Sequence, residues 1–336
     1  MRDKKEGQYT LSPFSAKMKR SVLLSALALL IVALGAPLIG STHISLAKAL
    51  SGVSPDREIF FYARLPRVLL ALVAGAALSV TGTLFQCMLR DPLAEPYTLG
   101  VSSGSSVGTV IALTLGWRLS VLPAILGAAA VLLIVLGMAM EGRRLSSFTL
   151  LLTGVTMNSI SFAIILFLHS IASFSQSFEI SRWLMGQLDA VEYSTLAWMA
   201  APVIVICALV TLRAPEWNLL AVGEDWATSR GANASRLTIF GYVAGSILVG
   251  LVTALAGPIG FVGLIVPHAL RLKLGADHRT LLPCAFLTGA AFLGLCDVIS
   301  RVAIAPSEIP VGVVTALCGG PFFLWLLRTK RRSLWL

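Results

Sequence analysis

Ten stretches of this 336-residue chain are apolar enough to prefer hydrocarbon to water. They lie near residues 21–39, 68–89, 97–116, 119–140, 149–171, 194–212, 237–255, 257–270, 280–299 and 309–328. A helix needs roughly 20 predominantly apolar residues to cross about 30 Å of hydrocarbon. Backbone polar groups in lipid must also be satisfied within the protein, so runs of this length read as packed helices. Charged residues form only 12% of the chain, against about 25% in an ordinary soluble domain, and the mean hydropathy is +0.86. The expected fold class is an all-α integral membrane protein with about ten transmembrane helices, in a single domain over residues 1–336.

Two stretches test that reading. The eighth, "GPIGFVGLIVPHAL", is short and rich in Gly and Pro, and needs neighbouring helices to shield it if it crosses. The first resembles a signal peptide, but polar and basic residues 1–20 precede it and no small-residue cleavage site follows, so it is read as a retained helix.

Charge supplies the orientation. An even number of helices puts both termini on one side, and with that assignment 19 of the 26 Lys and Arg residues fall on the side of the termini. The other seven, Lys48, Arg57, Arg64, Arg67, Arg118, Arg182 and Arg301, are balanced by seven acids. The whole net charge of +10 therefore sits on one face, which the positive-inside rule makes cytoplasmic. The N-tail (1–20), the segment 213–236 and the C-tail (329–336) are expected inside. A basic balance of this origin reflects topology and gives no reason to expect nucleic acid. The five cysteines all fall in apolar stretches without CxxC spacing and read as small packing residues. His43, His169, His268 and His278 are scattered, so no metal site is expected.

The stretch "RDPLAEPYTLGVSSGSSVG" breaks the apolar pattern. Pro92 and Pro96 end the preceding helix and shape a turn. Gly100, Gly104, Gly108, Ala112 and Gly116 then recur every four residues along one helical face, the spacing of a close-packed helix interface. Ser102, Ser103, Ser105 and Ser106 lie between them and also allow the reading of a polar pathway lining.

The full sequence has no GxxxxGK[ST] phosphate loop and no HExxH. A membrane enzyme or an ion-driven transporter would need ionisable residues within its spans, and apart from Asp297 near a helix end there are almost none. Arg64 and Arg67 in "RLPR", Asp297 and Arg301 in "DVISR", and Glu308 in "EIP" gather near outward helix ends. They admit two readings: an internal pair between Arg301 and Asp297 at four-residue spacing, or an arginine cluster awaiting acidic groups of a partner.

Four motifs, taken in order along the chain, carry a resemblance. "RLPRVLLALVAGAALSVTGTLFQCMLRDPLAEPYTLGVSSG", "LAVGEDWATSRGA", "GPIGFVGLIVPHALRLKLGADHRTLLP" and "DVISRVAIAPSEIPVGVVTALCGGPFF" closely resemble the permease subunits of ABC importers for iron-siderophores, haem and vitamin B12. The resemblance implies a multi-pass protein of the bacterial inner membrane that works as a homodimer with two cytoplasmic ATPase subunits and an extracytoplasmic binding protein. It implies no cofactor in this chain, with ATP and Mg bound by the ATPase partner. Ferric siderophore is the expected cargo, with haem and cobalamin next. By the same resemblance, Leu219, Leu220, Gly223, Glu224, Ala227, Gly231 and Ala232 belong to the ATPase-coupling segment. Arg64, Arg67 and Arg301 dock the binding protein, and Asp91, Leu93, Ser146 and Ser147 form the cytoplasmic gate. The family usually carries Asn where this chain has Asp91; a carboxylate there is expected either to pair with Arg90 or Arg143 or to repel an anionic chelate.

Overall fold

The computed structural model describes residues 16–117, 121–141 and 144–329. Most of the two expected tails, Arg118 and Arg143 therefore lie outside the described residues. All ten apolar stretches are helical: α1 (Ala16–Gly35), α2 (Leu65–Leu89), α3 (Val101–Thr114), α4 (Val121–Ala139), α5 (Ser147–Ile171), α6 (Tyr193–Leu212), α7 (Ala234–Ala256), α8 (Val262–Leu274), α9 (His278–Val302) and α10 (Val311–Thr329). The sole sheet among the described residues is a two-stranded ladder, Met140–Glu141 with Arg144–Leu145.

Seven of the ten are long and apolar enough to cross a membrane: α1, α2, α4, α5, α6, α7 and α9. The expectation of ten full spans is reduced accordingly. α3 has 14 residues, and at 1.5 Å per residue such a helix reaches about 21 Å, short of the hydrocarbon thickness. Its apolar stretch looked longer because Pro96–Leu99, a separate 3-10 turn, precedes it. α8 is also short, and Val262 through His268 are all buried, against α2 and α9. That is the shielding its Gly- and Pro-rich sequence demands.

Burial separates core from wrapping. In α2 and α7, 83% and 72% of the apolar window is inside the protein, compared with 17% in α1, 22% in α4 and 28% in α5 and α6. α2 is thus the axial helix, with α7, α8 and α9 around it. The outer helices turn bare Leu, Ile and Phe faces away from the core, where lipid or another apolar protein face is the only comfortable neighbour.

α3 meets α4 through its small residues. A Cβ on Gly108 would stand 2.0 Å from the Pro123 carbonyl oxygen, and one on Gly104 2.5 Å from that of Gly127. Only hydrogen allows the backbones this close. Gly100 packs toward the Gly154 carbonyl of α5, while Gly116 touches nothing. Ser102 shares a hydrogen bond with Thr253 of α7 at 3.1 Å, and the Ser106 hydroxyl donates to the Ser102 carbonyl at 3.0 Å. These hydroxyls serve the packed interface.

Candidate functional site

At the end of the bundle expected to face inside, residues 213–236 leave the helical rhythm. Two short helices, Ala214–Val222 and Glu224–Ser229, meet at Gly223, whose φ of +155° and ψ of 154° suit glycine alone. The first helix is plugged into the bundle. Trp217 is fully buried, its indole N–H donates to the Val210 carbonyl at 2.9 Å, its ring stacks on Phe240, and its carbonyl accepts from Cys87 Sγ at the end of α2. The second helix stands proud: Asp225, Trp226, Thr228, Ser229 and Arg230 are exposed, and the Arg230 guanidinium lies 4.6 Å over the Trp226 ring.

The expected coupling residues divide by burial. Leu220 and Ala227 are buried and hold the segment to the core, Leu219, Gly223, Glu224 and Ala232 are half-buried, and Gly231 is exposed at the end of the second helix. The side chains most available to a partner are therefore Trp226, Arg230 and their neighbours, which the motif match did not single out.

Two residue sets that the sequence kept apart come together here. Ser147 Oγ, in the first turn of α5, donates to Glu224 Oε1 at 3.4 Å. Ser146 caps the same helix, its Oγ accepting the Thr149 N–H at 3.2 Å. Asp91 does something local: its Oδ1 accepts the Leu93 N–H at 2.9 Å, an Asx turn that an Asn would close equally well. Among the described residues Asp91 makes no ion pair, and the Arg90 guanidinium lies nearest the Gly223 joint, 3.8 Å from where a Cβ there would stand. Leu93 is exposed.

Beyond Asp91, the polar break re-enters the bundle and satisfies a second break. Glu95 Oε1 accepts the Phe261 N–H and the Tyr97 hydroxyl accepts the Ile259 N–H, both at 2.6 Å, while Asn158 of α5 donates to the Tyr97 carbonyl at 3.0 Å. Residues 257–261, where α7 stops and α8 starts, thus find their hydrogen bonds in residues 95–97. Burial pushes the Glu95 carboxyl above its ordinary range, against the opposing pull of the Phe261 N–H.

At the opposite end, the three arginines do converge, but inward. Arg64 donates to the carbonyls of Leu38 and Thr42 and to Thr42 Oγ1. Arg301 donates to the Ala36 carbonyl at 3.1 Å, the Ile39 carbonyl at 2.6 Å and Asp297 Oδ2 at 3.0 Å. Both cations therefore clasp the unpaired carbonyls that follow α1, a favourable place for positive charge. Arg67 bridges Asp297 at 2.8 Å and Glu308 at 2.6 Å. Of the two sequence readings, the internal Arg301–Asp297 pair is present, and the expectation of three free outward guanidinium groups gives way to a cluster in which Arg64 and Arg301 are only 6% and 4% exposed. Beside it opens a cavity of about 590 Å³, lined by Arg67, Glu308, Ser300, Arg182 and Ser181 among others.

His278 and its partners Asn218 and Asp277 were missed by motif reading. Asp277 before an apolar run is a recognisable helix cap, but the pairing of Asn218 with a histidine 60 positions away leaves no local signal.

Comparison with known proteins gives a consistent picture. The sequence profile of the FecCD transport family matches residues 24–329. The hemin transport system permease protein of Yersinia pestis is 37% identical over 315 residues, 91% of this chain and 94% of that one. The vitamin B12 import system permease protein of Citrobacter koseri is 41% identical over 285 residues, covering 82% and 84%. A solved metal-chelate type ABC transporter in an inward-facing conformation superposes with a TM-score of 0.83 at 30% identity, over 93% of this chain and 99% of that one.

Proposed function

The chain belongs to the FecCD transport family of ABC importer permeases, and from that premise we propose that two copies form the path by which a metal chelate enters a bacterial cell across the inner membrane. The full sequence has no phosphate loop, so hydrolysis of ATP falls to a separate cytoplasmic subunit. An extracytoplasmic binding protein delivers the cargo.

The observation that carries this reading is the contact between Glu224 and Ser147. It joins a short helix projecting beyond the bundle to the first turn of a long, exposed helix. Such a joint turns displacement of the projecting helix into displacement of α5. On this reading the Glu224–Ser229 helix seats in the ATPase, and Asp91, Leu93, Ser146 and Ser147 close the inner end of the path. α5 suits the role of lining: Thr156 and Ser159 are exposed beside the bare Leu152, Val155 and Ile160 side chains, and their hydroxyls donate back to the Leu152 and Val155 carbonyls. Small hydroxyl and apolar groups of this kind let a bulky chelate pass without holding it.

At the outer lip, Arg67 with Glu308 is the part of the arginine cluster nearest to solvent, and the binding protein would meet the permease there. Arg64 and Arg301 act from beneath by fixing the loop after α1. The cargo class is a metal chelate. Relatives named for hemin and vitamin B12 favour metal tetrapyrroles as much as the ferric siderophores that family breadth suggests.

Uptake into proteoliposomes holding this chain, its ATPase and its binding protein is the deciding experiment, with ferric siderophore, haem and cobalamin offered in parallel. Accumulation of one of them, lost when the ATPase is omitted, is expected. An assembled complex that hydrolyses ATP and moves none of the three refutes the chelate assignment.

A further inference from the structure

Three hydrogen bonds fasten the first short helix of the coupling segment to the start of α9, and all three converge on Asn218. Its Oδ1 accepts the backbone N–H of His278 and the His278 Nδ1, each at 2.8 Å. Its Nδ2 donates to Asp277 Oδ1 at 2.7 Å. The donors fix the histidine's state. A backbone N–H can only donate, so the Asn218 atom facing it is oxygen, and Nδ1, which faces the same oxygen, must carry a hydrogen. Nε2 is buried and without a hydrogen-bond partner among the described residues, which a bare lone pair tolerates better than the N–H of an imidazolium would. Asp277 in turn caps α9 by accepting the Arg279 N–H at 3.0 Å.

The placement matters more than the bonds. Trp217 already seats the Ala214–Val222 helix against α2. The Asn218 clamp adds a second attachment, to a different helix, one turn from the Gly223 joint. α9 then runs for 25 residues from His278, with Pro283 in its second turn, to the buried Asp297–Arg301 pair at the far end, beside the cavity that Arg67 and Glu308 line. One helix therefore has the coupling segment at one end and the outer lip at the other.

We propose that His278, through Asn218, is the positioning residue that makes the coupling segment and α9 one mechanical unit, linking the ATPase side of the permease to its outer lip. This rests on the importer reading above. A free first helix would pivot at Gly223 and dissipate movement of the second; a clamped one transmits it to α9.

Three substitutions separate the clamp from simple packing. His278→Asn places an amide N–H where Nδ1 stands, His278→Gln moves the donor to the Nε2 position, and His278→Ala removes it. In proteoliposomes with the ATPase and binding protein, cargo taken up per ATP hydrolysed is expected to fall roughly fivefold in the Ala and Gln variants, and to stay within about twofold of native in the Asn variant. Amide hydrogen exchange over residues 214–222 gives a second readout that needs no transport. Exchange about tenfold faster in the Ala and Gln variants, and native in the Asn variant, corresponds to loss and rescue of one buried hydrogen bond. An Ala variant with native coupling and native exchange, or Asn and Gln variants that behave alike, overturns the proposal. If the native complex shows no ATP-driven uptake, the importer reading fails and the exchange pattern alone upholds or overturns the clamp.

Discussion

Asp297 is the point at which the outer charge cluster is most vulnerable, and its removal has a magnitude that can be worked out. The carboxylate is 0% exposed and accepts from Arg67 at 2.8 Å and from Arg301 at 3.0 Å. Arg67 has a second partner, Glu308, at the shorter distance of 2.6 Å, but the Glu308 side chain is 43% exposed. Ranking by distance would make Glu308 the stronger partner. Ranking by environment reverses the order, because deleting one partner of a buried pair leaves an uncompensated charge and costs about 3–5 kcal/mol, whereas an exposed pair contributes about 0–1 kcal/mol. Asp297→Ala should therefore lower the apparent midpoint of thermal unfolding by about 6–10 °C, at roughly 2 °C per kcal/mol for a chain of this size. Glu308→Gln should lower it by no more than about 2 °C. Asp297→Asn, which keeps an acceptor for one arginine and loses the charge, should fall between them. The assay is a thermal melt of the purified protein in detergent or nanodiscs, read by light scattering or a thiol probe of the four buried cysteines. Equal shifts for Asp297→Ala and Glu308→Gln would refute the reasoning, since exposure would then play no part.

Other expectations follow from single contacts. Gly108→Leu forces a side chain into a space where even a Cβ meets the Pro123 carbonyl at 2.0 Å, so α3 and α4 must part; a loss of at least about 1–3 kcal/mol is expected in the same melt, and an unchanged midpoint would show that the helices are not held at this distance. Glu224→Arg should abolish cargo-stimulated ATP hydrolysis, and Ser147→Ala, which removes the contact that joins Glu224 to α5, should lower cargo taken up per ATP hydrolysed by at least about threefold; native coupling in Ser147→Ala would show that this contact is not the joint. Glu95 supplies a pH test. Its folded-state pKa is raised from 4.5 by burial, so the native state holds this proton more tightly than the unfolded chain, and the associated stability is present at low pH and lost as pH rises from about 4.5 through the raised value. Glu95→Gln keeps an acceptor for Phe261 and should flatten that dependence; a melt whose pH profile is identical in the variant would exclude Glu95 as its source.

How much of this was legible in the sequence depended on the range of the interaction. Each long helix announces itself because apolarity is a property of consecutive residues, whereas the polar Phe174–Leu184 helix does not; the Gly100–Gly108 repeat announces a close interface because its spacing is local. The fate of Arg64 and Arg301 is not local. Hydropathy places a charge near a helix end in water, but the carbonyls that take up these cations belong to residues 36–42, and for Arg301 they lie more than 260 positions away. The meeting of Ser147 with Glu224, 77 positions apart, and of Asn218 with His278 is equally silent. The short α3 was overextended because Tyr97 and Leu99 count as apolar in a window even though they form the 3-10 turn before it.

These long-range contacts share a physical cause. An interrupted helix inside a membrane bundle exposes N–H and C=O groups, and each one left unpaired in hydrocarbon costs several kcal/mol. This chain interrupts its helices after α1, between α2 and α3, and between α7 and α8. In each case side chains from elsewhere satisfy the loosened backbone: Arg64 and Arg301 after α1, Asn158 at Tyr97, and Glu95 with Tyr97 at residues 259–261. Polar residues within such a protein are therefore first to be read as partners of broken backbone. On the proposed reading, other polar side chains serve transport: Trp226 and Arg230 on the projecting helix, Thr156 and Ser159 on the open face of α5, and Glu308 at the outer lip. A substitution among these should change transport with little effect on the melt, while one among the backbone partners should do the reverse. That opposition separates the machinery of the path from the framework that lets it bend.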